Sequence, residues 1–175
     1  DKIKTEEEYF DVIVNEEEAM ELVTEKTLLV IVDTHKTSYV EFPELLEKID
    51  RKIIIDHHRK APDYIENALI SFHEVYASST AELVTEIIQY AKEDITLSLL
   101  EAESLYGGIM VDTKNFTFKT GVRTFEAAAY LRKFGVDIIK VKKWFQTDLE
   151  SYNKISEIIK NVEIIDSNIG IAIYD

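Results

Sequence analysis

Two apolar, β-branched runs, Leu28–Val32 and Lys52–Ile55, flank a short segment of helical pattern, Pro43–Asp50, and both runs stop at an aspartate. Continuous apolar runs of this length read as strands buried on both faces, and strand, helix and strand in so few residues close as a parallel βαβ unit. In an open sheet of that kind, ligands bind in the crevice outside the carboxyl ends of the strands. Asp33 and Asp56 then stand at equivalent strand ends. Each heads a polar cluster, Asp33-Thr34-His35 and Asp56-His57-His58-Arg59, and a third acid, Asp112, follows the apolar Gly108–Val111. Three places far apart in the chain are expected to meet in one pocket.

Before the first run, Asn15 followed by Glu18 has the spacing of a helix start. Ile70–Val75 reads as a third strand. Ser78, Ser79 and Thr80 supply N-cap candidates for a helix to about Lys92, whose Leu83, Ile87, Ile88 and Ala91 share one face. Thr96 is expected to cap the next helix, which runs on to Asp112. The Gly107-Gly108 pair inside it costs about 1 kcal/mol per residue relative to alanine, so either a close approach by another backbone or a ligand, or simple close helix packing, is expected there. Thr124 should open an apolar helix through Phe134, with Gly135 at its C′ position. Helices over 137–146 and Leu149–Lys160 follow. The strand-like runs Val162–Ile165 and Ile169–Tyr174 close the chain as a hairpin turning at Asp166-Ser167-Asn168. The fold class is α/β: a parallel sheet flanked by helices over residues 1–160, and a linker with a C-terminal hairpin, 161–175, beginning a second domain.

The chemistry is bounded by what the chain lacks. With no cysteine among 175 residues, thiolate catalysis and thiolate zinc sites are excluded, and any metal is held by His, Asp and Glu. Two carboxylates and an imidazole, Asp33, Asp112 and His57, suit a divalent ion that accepts oxygen and nitrogen donors: Mn²⁺, Mg²⁺, Co²⁺ or Zn²⁺. Taken singly, either aspartate does no more than cap a helix or turn. The pair of histidines behind Asp56 is harder to explain that way, since polar residues after a buried strand need partners.

His58 is placed to hydrogen-bond a phosphate or to protonate a leaving oxygen, with His35 a weaker counterpart. Asp56 would orient an imidazole, and Arg59 would fork onto phosphate. His73, inside the third strand, reads as structural. Arg123 would bind phosphate or pair with a local carboxylate, and Trp144 and Phe145 read as core or dimer contacts.

The formal charge of −14 argues against duplex nucleic acid as a partner. A small phosphate compound is not excluded, because metal ions and local cations such as Arg59, Lys114, Lys119 and Arg123 reverse the field inside a pocket. No apolar run approaches the roughly 20 residues of a spanning helix, and nothing resembles a signal peptide, so this segment is expected to be soluble and to make no membrane contact.

At Val32-Asp33-Thr34-His35, Ile55-Asp56-His57-His58-Arg59, Ala77-Ser78-Ser79-Thr80-Ala81-Glu82-Leu83 and Gly108-Ile109-Met110-Val111-Asp112-Thr113-Lys114, the chain resembles the DHH phosphoesterase superfamily. Within it, the likeness is to the membrane-anchored cyclic-di-AMP phosphodiesterases, whose DHH domain is followed by a DHHA1 domain, and it runs from about residue 28 to at least 150. The resemblance implies two Mn²⁺ ions: Asp33 bridging both, His57 and Asp112 on the second, His58 facing the phosphate and Asp56 behind. It implies hydrolysis of cyclic-di-AMP to pApA, a homodimer in the complete protein, and a cytoplasmic catalytic part of a membrane-anchored one.

Two departures accompany the likeness. The superfamily's first motif, a histidine with spaced aspartates on an N-terminal strand, has no counterpart before His35, and the DHHA1 domain with its glycine-rich loop is almost entirely absent. The chain is therefore expected to be an interior catalytic fragment, weak or inactive alone. The competing readings are a nanoRNA or oligonucleotide phosphodiesterase, a manganese pyrophosphatase of the same superfamily, and a catalytically silent binding or dimerisation module.

Overall fold

The computed structural model describes residues 7–9, 12–92, 95–165 and 168–173. The chain forms two compact units, residues 1–138 and 139–175. In the first unit, Asn15 caps α1 (Glu16–Leu22) through a reciprocal pair: its side chain accepts from the Glu18 amide at 3.0 Å, and Glu18 accepts from the Asn15 amide at 2.9 Å. β1 (Leu29–Val32), α2 (Glu44–Lys48) and β2 (Lys52–Asp56) are the βαβ unit expected from the sequence. β3 (Ile70–His73) joins as a third parallel strand, in the order β1-β2-β3.

The register aligns Val32 with Ile55 and Phe72, and Asp56 with His73, so the ends of the strands fall level. Side chains alternate between two faces. On one face Ile31 and Ile54 pack with Ile65, Leu46 and Val40; on the other Ile55 packs with Ala77 and Leu83. The second cluster is what pins α3 (Thr80–Gln89) over β2. α3 is capped by Ser79, whose hydroxyl accepts from the Glu82 amide at 3.0 Å.

α3, α4 (Leu99–Asp112) and α5 (Val122–Arg132) form the helical layer, with Leu83, Ala102, Ile109, Ala127 and Leu131 almost completely buried. Two caps differ from the sequence expectation. α4 is capped by Ser98, not Thr96, because Ser98 finds a reciprocating acid three residues on: its hydroxyl accepts from Glu101 N at 3.2 Å and Glu101 accepts from Ser98 N at 2.7 Å. Thr124 does not open α5 but lies in its first turn, where its hydroxyl accepts from the amide of the Gly121 cap at 3.0 Å. α5 stops two residues before Phe134, and Gly135 takes the left-handed φ of 90° beyond it.

The second unit holds most of α6 (Ile138–Trp144), α7 (Leu149–Lys160) and the antiparallel hairpin β4 (Glu163–Ile165) and β5 (Ile169–Ile171). Asp148 caps α7, accepting from Ser151 N at 2.9 Å. The turn assigned to Asp166 and Ser167, and the end of the last run at Tyr174, lie outside the described residues. No helix among the described residues is long and apolar enough to cross a membrane.

Candidate metal centre

Each aspartate reaches the carboxyl edge of the sheet by a different route. Asp33 follows β1 with φ of 64°, a left-handed conformation that Asp tolerates better than most residues, while its amide still donates to Ile55 O at 3.0 Å. The chain is thereby bent sharply at the strand end, and the Asp33 side chain is left 60% exposed. Asp56 ends β2 and is completely buried. Its Oδ1 accepts from the amides of His57 at 2.8 Å and His58 at 3.3 Å, a local turn that displays both imidazoles side by side, ring centroids 4.4 Å apart. Asp112 is the last residue of α4, brought to the same place by the packing of α4 on α3.

The three meet at the His57 ring. Its Nε2 lies 3.6 Å from Asp33 Oδ1 and 3.4 Å from Asp112 Oδ2, while the ring itself is buried. Both separations are long for a direct N–H···O bond. Two donors held by one ion at about 2.1 Å stand about 3.0 Å apart in an octahedral and about 3.4 Å apart in a tetrahedral arrangement, so the spacing is that of groups sharing a cation. Among the described residues, Asp33, His57 and His58 bring ligand atoms within 4.8 Å of one another, as do His35, Asp56 and His73, and Asp112 approaches the first group through His57; these donors suit a divalent ion. Burial pushes the Asp112 carboxyl above its ordinary value and Asp33 adds to this, against the opposing pull of His57, His58 and Lys119.

Behind this cluster Asp56 organises a second one. Its Oδ2 accepts from His35 Nδ1 at 2.5 Å and its Oδ1 from His58 Nδ1 at 2.7 Å. Burial alone would raise the Asp56 carboxyl, yet the hydrogen bonds from His35 and His58 hold it below its ordinary value, so it stays ionised. His35 is 3% exposed, and its Nε2 accepts from Ala61 N at 2.9 Å. That acceptor role fixes the proton on Nδ1 and leaves His35 no ring nitrogen for a ligand. His58 differs: its side chain is 54% exposed and its Nε2 remains available beside His57.

His73 bonds the carbonyl oxygen of His58 through Nε2, the structural role expected of it. Arg59 is exposed next to the cluster. Arg123 is not free for a phosphate: it forks onto Glu86, Nε to Oε1 at 2.7 Å and Nη2 to Oε2 at 2.6 Å, tying α5 to α3.

Sequence reasoning missed two buried polar groups next to the site. The Glu82 carboxylate accepts from Ser78 Oγ at 2.5 Å inside the protein. Thr113, directly after Asp112, is completely buried. Nothing in the sequence pattern marks either as buried.

Residues 3–109 match the family described as "DHH family, N-terminal domain". The chain belongs to the DHH family. This DHH chain is 44% identical over 171 residues to a Bacillus subtilis protein named cyclic-di-AMP phosphodiesterase GdpP, covering 98% of the chain and 26% of that relative. It is 43% identical over 169 residues to the Listeria monocytogenes cyclic-di-AMP phosphodiesterase PdeA, covering 95% of the chain and 26% of the relative. It thus spans about a quarter of the length of these curated relatives. Among solved structures, an exopolyphosphatase-related protein from Bacteroides fragilis superposes with a TM-score of 0.78 at 20% identity, over 94% of this chain and 50% of that one, and so shares its fold.

Proposed function

We propose that this chain is the metal-binding DHH part of a phosphodiesterase that hydrolyses cyclic-di-AMP to pApA with Mn²⁺. The observation that carries the reading is the convergence of Asp33 and Asp112 on His57 Nε2, at 3.6 and 3.4 Å, in a chain so similar to cyclic-di-AMP phosphodiesterases. Asp33, His57 and Asp112 hold the ion; bound there, it supplies charge for the phosphoryl oxygens and makes water easier to deprotonate.

His58 does the proton work. With Nδ1–H committed to Asp56, its Nε2 gives a proton to the departing ribose oxygen, and the Asp56 carboxylate stabilises the imidazolium that carries it. In the balanced reaction the oxygen of water ends on phosphorus, the P–O bond to that ribose oxygen breaks, and water's proton replaces the one His58 gave up. His35 stiffens Asp56 from behind, and Arg59, the exposed cation that follows His58 in the chain, binds phosphate. We read residues 161–175 as the start of a further domain, and the protein as a homodimer whose catalytic part faces the cytoplasm from a membrane anchor.

The test is chromatography of cyclic-di-AMP, a short RNA and pyrophosphate, offered separately with Mn²⁺. Conversion of cyclic-di-AMP to pApA is expected of a chain extended at both ends and only weakly or not at all of this segment alone, with Asp33→Ala and His57→Ala in the extended chain each lowering it by more than about a hundredfold and weakening Mn²⁺ binding. Unchanged Mn²⁺ binding in both variants removes the metal site, and turnover of RNA or pyrophosphate instead reassigns the substrate.

A further inference from the structure

We infer that Thr113 is a positioning residue: its buried hydroxyl locks the turn that ends α4, and so fixes the Asp112 carboxylate on His57. The inference rests on the reading of Asp112 as a metal ligand. A helix end is where a ligand is hardest to hold, because the last carbonyls have no partner inside the helix and the last turn frays.

Here the end is closed completely. Lys114 N donates to Val111 O at 3.1 Å and Asn115 N to Met110 O at 2.8 Å, the two bonds of a Schellman motif. The residue that such a motif places in the left-handed region is usually glycine. In this chain it is Lys114, φ 47°, and Asn115 and Phe116 follow at 59° and 62°. Three successive side chains in that region stay there only when their surroundings over-determine them.

Thr113 supplies the determination. Its amide and its hydroxyl both donate to Ile109 O, at 3.1 and 2.7 Å, and the hydroxyl in turn accepts from Phe116 N at 3.0 Å. Its carbonyl accepts from Thr117 N at 2.9 Å and Phe118 N at 2.8 Å. One side chain thus joins the last turn of α4 to the far end of the left-handed segment. The Phe116 ring, 5.5 Å from Tyr106 and 5.9 Å from Phe125, seats that segment against α4 and α5. Without the hydroxyl the segment loses the side-chain bond that ties Phe116 N to the last turn of α4, and Asp112, one residue upstream, loses its fixed direction.

The experiment is Mn²⁺ titration of the protein, followed by the electron paramagnetic resonance of free Mn²⁺, with Thr113→Val and Thr113→Ser in the native and Asp112→Ala backgrounds. Thr113→Val, which keeps the shape and loses the hydroxyl, should weaken Mn²⁺ about tenfold, and Thr113→Ser should restore it to within about twofold. In the Asp112→Ala background Thr113→Val should add nothing, because both changes act through one carboxylate. Native Mn²⁺ affinity in Thr113→Val, or an equal further loss in the Asp112→Ala background, overturns the positioning role. If Thr113→Val does not fold, Thr113→Ser decides, since loss of Mn²⁺ binding with the hydroxyl retained also overturns it. Asp33→Ala and His57→Ala, titrated alongside, report separately whether the metal site itself is correctly assigned.

Discussion

Asp56 is the residue on which the two histidine clusters depend, and its carboxylate is fully buried among four donors. Replacing it by asparagine keeps the shape but sets an amide N–H against an imidazole N–H, which forces one ring into the other tautomer or breaks the bond. A buried donor left without an acceptor costs about 1–3 kcal/mol. The amide oxygen takes the Oδ1 position, where three donors converge, so the N–H falls against His35, and His58 keeps its bond but loses the carboxylate charge that stabilises its imidazolium. Asp56→Asn should therefore bind Mn²⁺ within a few fold of the native protein while kcat falls by about a hundredfold or more, measured by titration and initial rates. Mn²⁺ binding lost in proportion to kcat would mean that Asp56 acts on the metal ligands and not on His58. At this scale the sequence showed that Asp33 and His57 gather, because they follow strand ends that a parallel βαβ pattern makes adjacent, whereas Asp112 joins them through the packing of α4 on α3. It did not show how they divide the work. The acceptor bond from Ala61 N that uses up His35, and the Glu86 partner that uses up Arg123, are tertiary contacts with no local signature.

At the scale of elements, local chemistry was read best where it is reciprocal. Asn15 with Glu18 forms the helix start that its spacing implies, and the misplaced cap at Thr96 lacked such a partner, since Leu99 stands where Ser98 finds Glu101. The glycine pair in α4 announced a close approach without saying to what. The answer at Gly108 is α3: a Cβ built there would lie 2.9 Å from Ala81 Cβ, closer than real Cβ atoms come. Alanine normally strengthens a helix by about 1 kcal/mol over glycine. Here the partner atom belongs to another alanine and cannot swing away, so the two helices must separate, at about 1–3 kcal/mol for overpacking. Gly108→Ala should lower the unfolding midpoint despite its better propensity, and pairing it with Ala81→Gly should recover most of the loss. A midpoint raised by the single change would show that the helices have room to give.

For the molecule as a whole, the formal charge of −14 works against the substrate proposed for it. A cyclic dinucleotide with two phosphodiesters carries two negative charges, and the far field of this chain repels them. Near the site, Arg59, Lys114 and Lys119 are exposed cations, while Arg123 is neutralised by Glu86. The two influences differ in range. Screening shortens from about 30 Å at 0.01 M salt to about 10 Å at 0.1 M, which removes most of the whole-molecule repulsion and leaves contacts within the pocket nearly intact. With Mn²⁺ kept saturating, kcat/KM for cyclic-di-AMP should therefore rise by about two- to threefold between those salt concentrations, while kcat stays constant. Initial rates across a KCl series measure it. A fall in kcat/KM over the same range would mean that the local cations outweigh the acidic surface, and would make Arg59, Lys114 and Lys119 the residues that draw the substrate in.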